Sequence, residues 1–113
     1  MAYDENLAAR VRSLLQAGNL DFDEKKMFGG LAFLLHGNMF AGVNQGVMMA
    51  RVGPAAWAEA LQQAGAREMD FTGKSLRGYV WVDAKVLHSD EALQSWLQRC
   101  LRFVSSLPAK PLR

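Results

Sequence analysis

Few side chains in this chain of 113 residues are placed to do chemistry. Lys25-Lys26-Met27-Phe28-Gly29-Gly30 sets two ammonium groups beside paired glycines, a combination able to offer backbone N–H groups and positive charge to an anion. Lys74 and Arg77 lie in a second turn-rich stretch and are candidates to join the first group across a sheet. The spacing is not G-x-G-x-x-G, and the segment after Gly30 reads as a strand, not as a helix whose N-terminus would hold phosphate. The plainer expectation is a bulge or tight passage into a sheet, where glycine permits unusual backbone angles or close packing. Gly73-Lys74-Ser75 copies the end of a P-loop, but Glu68 stands where that pattern needs glycine.

The catalytic inventory is thin. His36 falls in an expected hairpin turn and His88 just before a helix start, so both are expected in solvent. Cys100 is the one cysteine and lies on an apolar helix stripe, where a thiol acts as a small core hydrophobe. No pair of soft ligands has structural-zinc spacing. Asp83 and Asp90 suit helix starts, where negative charge is favoured. The residues therefore assign no catalytic group, no metal and no cofactor. Methionine is the unusual type: of six, Met27, Met39, Met48 and Met49 fall in or beside three apolar runs, together with Phe28, Phe33 and Phe40. Thioether side chains suit adaptable protein contacts. Adjacent Met48 and Met49 point to opposite faces of a strand, which leaves one of them free to lie outside the core. The binding candidates are Lys25, Lys26, Phe28, Gly29, Gly30, Met48, Met49, Lys74 and Arg77.

The elements that must carry these residues follow from periodicity. Leu7, Val11, Leu14 and Leu15 share one face of a helix from Asp4 to about Ala17, with Asp4 as N-cap and Gly18 as stop. Asn19 to Lys26 reads as a polar connection. Leu31–Leu35, Met39–Val43 and Val47–Val52 are apolar runs separated by His36-Gly37-Asn38 and Asn44-Gln45-Gly46, which predicts a three-stranded meander. Gly53-Pro54 opens a second helix carrying Trp57, Ala60, Leu61 and Ala64, closed by Gly65. Arg67–Phe71 is a candidate strand, Gly73–Gly78 a turn-rich connection, and Gly78–Val82 a strand. Asp83 starts a short helical turn. Ser89 caps a last helix in which Leu93, Trp96, Leu97, Cys100, Leu101, Val104 and Leu107 form the clearest apolar stripe, ended by Pro108. The order α-β-β-β-α-β-β-α favours an α+β fold over a doubly wound sheet.

Composition narrows the class. Thirteen basic against eleven acidic residues give a net charge of +2, and no basic cluster exceeds Lys25-Lys26, which argues against autonomous nucleic-acid binding. No apolar run approaches the ~18 residues of a membrane span. The single cysteine, and a start without a basic then apolar leader, place the chain in the cytoplasm. One domain over 1–108 with a short tail, 109–113, is expected, and Tyr79–Val82 is a candidate for strand pairing in a homodimer.

Several segments together resemble the TfoX N-terminal domain family, named for a bacterial regulator of natural competence. They are Lys26-Met-Phe-Gly-Gly30, Gly37-Asn-Met-Phe40, Arg51-Val-Gly-Pro54, Met69-Asp-Phe-Thr-Gly73, Gly78-Tyr-Val-Trp-Val-Asp83 and the final helix ending Ser106-Leu-Pro108. The resemblance implies a two-layer α+β domain with a five-stranded, largely antiparallel sheet. Full-length members similar to the competence regulator carry a second, helical domain and act with a transcription factor through protein contacts. A chain ending at Arg113 looks like the stand-alone N-terminal type, and no catalytic residue carries across. The expectation is a non-enzymatic regulatory or protein-interaction domain with a protein partner. The alternative is a small-ligand or anion-binding protein using Lys25–Gly30.

Overall fold

The computed structural model describes residues 3–27, 29–71 and 73–109, with Phe71 and Lys74 as backbone alone. The chain runs α1 (Glu5–Ala17), β1 (Phe22–Met27), β2 (Gly30–Leu35), β3 (Asn38–Val43), β4 (Val47–Arg51), α2 (Trp57–Leu61), β5 (Ala66–Phe71), β6 (Lys74–Asp83), a 3-10 helix (Ala84–Leu87) and α3 (Asp90–Val104). The class is α+β, as expected, but the sheet has six strands in the order β1-β2-β3-β4-β6-β5, every neighbour antiparallel.

The strand beyond the expected five is β1, whose polar sequence conceals it. Its four central residues, Asp23 to Lys26, are exposed, so no alternation of apolar and polar residues marks the segment. It pairs with all of β2 nonetheless, from Phe22 opposite Leu35 to Met27 opposite Gly30. Charged side chains on a sheet edge discourage pairing with another chain. A second difference lies in β6, which begins at Lys74 and absorbs most of the expected connection Gly73–Gly78. Because β6 runs between β4 and β5, Tyr79–Val82 has no free edge, which removes the expected route to a dimer through that segment.

Helix ends form where the sequence places them. The Asp4 carboxylate accepts from the Leu7 N–H at 3.1 Å, the Ser89 hydroxyl from Ala92 N–H at 3.1 Å, and Asp83 from Lys85 N–H at 3.0 Å. Each satisfies one of the N–H groups a helix start leaves open. Helix α2 is shorter than its expected span: Pro54 begins a turn, and helix forms from Trp57, whose indole N–H donates to the Tyr79 carbonyl at 2.9 Å.

All three α-helices cover one face of the sheet. Leu7, Val11 and Leu15 of α1 and Leu93, Trp96, Leu97, Cys100 and Val104 of α3 join Phe33, Phe40, Val43, Met48, Ala50, Val80 and Val82 from the strands in one buried cluster. Three ion pairs bind this layer together: Arg10–Asp90 between α1 and α3, Arg12–Glu24 between α1 and β1, and Arg99–Glu59 between α3 and α2.

The family-like segments are fold devices. A Cβ on Gly30 would lie 2.6 Å from the Val43 carbonyl oxygen, so only glycine lets β2 start there, while Gly29 takes a φ of 73°. Gly53 and Gly78 form a tight crossing in which the Gly78 carbonyl accepts from both Val52 and Gly53 N–H groups. Buried Asn38 donates its side-chain amide to the Pro108 carbonyl at 2.9 Å, tethering the end of the α3 segment to the β2–β3 hairpin.

Candidate functional site

The opposite face of the sheet carries an apolar trough that no helix of the described residues covers. It is lined by Met27, Gly30, Leu31, Ala32, Met39, Gly42, Asn44, Met49, Met69, Leu76, Tyr79 and Trp81, and holds about 240 Å³. Strand alternation builds it. Register pairs Ala32 with Gly42, Gly42 with Met49 and Met49 with Trp81, so these residues stand on one face in adjacent strands. Residues one step away, Phe33, Val43, Met48 and Val82, point into the helix-covered core. A register shift after Phe33 leaves consecutive Phe40 and Ala41 both in that core, and returns Met39 to the trough.

Shape follows from size. Ala32 and Gly42 leave a low floor, and Met49 and Trp81 rise beside it. A Cβ on Gly42 would meet the Met49 methyl at an ordinary 3.6 Å, so no main-chain contact demands glycine there. Met49 and Met69 line the trough yet keep only 4% and 7% of their surface exposed. At one end the Arg51 guanidinium lies 5.5 Å from the Tyr79 ring centre and 5.4 Å from that of Phe103, and donates to the Met39 carbonyl at 3.2 Å.

The sequence-derived candidates separate. Met48 is fully buried in the core and Met49 lines the trough, so the adjacent pair divides between faces. Lys25 and Lys26 also diverge: Lys25 is paired with Ala32 on the trough side and Lys26 with Leu31 on the helix side. Gly30 is held in the β1–β2 ladder and lines the trough, and Gly29 is an exposed turn residue. Arg77 is exposed on β6, four strands from β1, so Lys25, Lys26 and Arg77 do not gather into a cradle. Phe28 and the Lys74 side chain lie outside the described residues. Sequence reasoning missed Met69, Leu76, Tyr79 and Trp81 as site residues. The signal was available in β2 and β3, whose runs are apolar at successive positions rather than alternate ones. That pattern belongs to strands apolar on both faces.

The described lining of the trough is apolar apart from the Asn44 amide and the Tyr79 and Trp81 ring groups. Its lining holds no carboxylate, imidazole, amine or thiol. Cys100 is sealed on the other side, where burial pushes its thiol up to about 12. His36 and His88 are exposed, and no group of three His, Cys, Asp or Glu among the described residues is placed to hold a metal ion. No helix of the described residues is long and apolar enough to cross a membrane.

Fold and site together define a small α+β domain with one helix-covered sheet face and one open, methionine-lined face. The chain matches the model of the TfoX N-terminal domain over residues 14–104, and it belongs to that family. No curated protein and no solved structure matches it.

Proposed function

We propose that this domain is a non-enzymatic, regulatory protein-interaction module whose docking surface is the open sheet face. One observation carries the reading: the central strands are apolar on both faces, and the described helices cover only one. An antiparallel sheet facing water ordinarily turns polar side chains outward. An apolar face without a cover of its own is the mark of a surface that meets a partner. Methionine walls fit that role, because an unbranched thioether repacks around different shapes with little strain. Family membership adds the expectation of work in transcriptional regulation, and a reducing cytoplasm is the compartment this reading assumes.

Affinity capture from the source cell tests it. Gly42→Val fills the trough floor, and Arg12→Ala serves as a control on the helix-covered side. Capture of the same partner by wild type and the control, with loss in the folded valine variant, is expected. Equal capture by all three would overturn the assignment of the face.

A further inference from the structure

The rung of residues that crosses the trough ends in charge at both sheet edges. Register runs without a break across the whole sheet, from Lys25 to Ala32, Gly42, Met49, Trp81 and Arg67, one residue from each strand. Residues directly opposite in antiparallel strands share a face. This rung therefore begins and ends in an exposed cation, with small and apolar residues between. Neither Lys25 nor Arg67 forms an ion pair among the described residues. Five strand spacings separate them, about 24 Å, which is the length of a helix of about 16 residues.

Resting on the docking role proposed above, we infer that the occupant is an amphipathic helix of a partner protein, its apolar stripe in the trough and carboxylates near both ends, facing Lys25 and Arg67. Three alternatives fit less well. Small-molecule sites usually enclose about 300–1,000 Å³, whereas this one holds about 240 Å³ and is open to solvent. A bilayer takes up protruding side chains, and the deepest walls here are recessed, with Met49 only 4% exposed. A second copy stacked with its rung aligned, in either direction, would set cation on cation at both ends. A helix with anionic ends meets both requirements, apolar depth and opposite charge.

The test uses labelled 16-residue helical peptides with blocked termini and one leucine stripe, ending in glutamates, glutamines or lysines. Fluorescence anisotropy is measured in low and high salt. The glutamate peptide should bind wild type about tenfold more tightly than the lysine peptide, from two rim ion pairs gained against two repulsions. Lys25→Glu with Arg67→Glu should reverse the order, about 1 M salt should erase it, and Gly42→Val should abolish binding. Equal affinity of all three peptides, still sensitive to Gly42→Val, would overturn the charge pairing while leaving the face a docking surface. No peptide binding, with partner capture still lost in Gly42→Val, would overturn the helical occupant alone. Self-association in sedimentation that Gly42→Val removes, or cosedimentation with anionic vesicles, would replace the helix by a second copy or a membrane.

Discussion

Met48 and Met49 are neighbours in the chain and opposites in the fold. Met48 is fully buried on the helix-covered side, in one cluster with Phe40, Val82 and Leu93. Met49 lies against Gly42 and lines a trough open to solvent. The two faces of the sheet repeat this contrast. One face spends its apolar surface on stability, with helices, caps and ion pairs arranged over it. The other keeps comparable apolar character and has no described cover. Helix-covered hydrophobic burial is thus concentrated on one side, and the second side is the one proposed above to meet a partner.

Chemical labelling should separate the faces most sharply. Cys100 is sealed and its thiol is pushed up to about 12, so a thiol reagent at pH 8 should react at least about a thousandfold more slowly than with the unfolded chain. Peroxide should oxidise the half-buried Met27 and Met39 before Met48, read by peptide mass spectrometry. Rapid labelling of Cys100, or early oxidation of Met48, would break the contrast.

Truncation gives the next largest effect. Met48→Ala leaves a cavity in a packed core and should destabilise by about 2–4 kcal/mol. Met49 is also buried, at 4% exposure, but it borders the trough, so Met49→Ala leaves a less enclosed cavity and should cost less, about 1–3 kcal/mol. Denaturant melts of both variants measure the difference. The glycines sharpen the comparison within the trough itself. Gly30→Ala forces a Cβ against the Val43 carbonyl and should lose about 1–3 kcal/mol. A Cβ at Gly42 meets only ordinary contacts, so Gly42→Ala should change stability by no more than about 1 kcal/mol.

The smallest effect is electrostatic and lies on the covered side. Arg12 donates to Glu24 at 2.8 Å, and this hydrogen bond holds the Glu24 carboxyl below its usual 4.5. The sign follows: the pair stabilises fully above that ordinary value and is lost as pH falls through the lowered one in the folded chain. With Arg12 37% exposed, the contribution is at most about 1 kcal/mol. Glu24→Gln should therefore lower stability slightly at pH 7 and flatten its decline below pH 4.5, as read by melts across pH.

How much of this was legible in the sequence depends on whether local pattern or tertiary pairing decides the residue. Asp4, Asp83 and Ser89 were readable as caps because a short polar side chain bonds its own next turn. The stripe of α3 was readable because helical period and burial coincide. Strand β1 was hidden because an edge strand with charged side chains carries no alternation, although Phe22 sets its ring centre 6.0 Å from that of Phe33 in the fold. The division of Met48 from Met49 was expected, but which of them faced the helices was not. That assignment depends on where α3 lands, which no local run encodes. The trough was the least legible, since Lys25, Gly42, Trp81 and Arg67 meet only through the register of six strands.

The central claim is that the partner seats on the open face. The direct measurement is a methionine-methyl NMR spectrum of the domain, assigned by single Met→Leu variants, with and without the captured partner. The methyls of Met27, Met39, Met49 and Met69 should shift or saturate on binding, while that of Met48 stays in place. Binding that leaves those four unmoved would contradict the account.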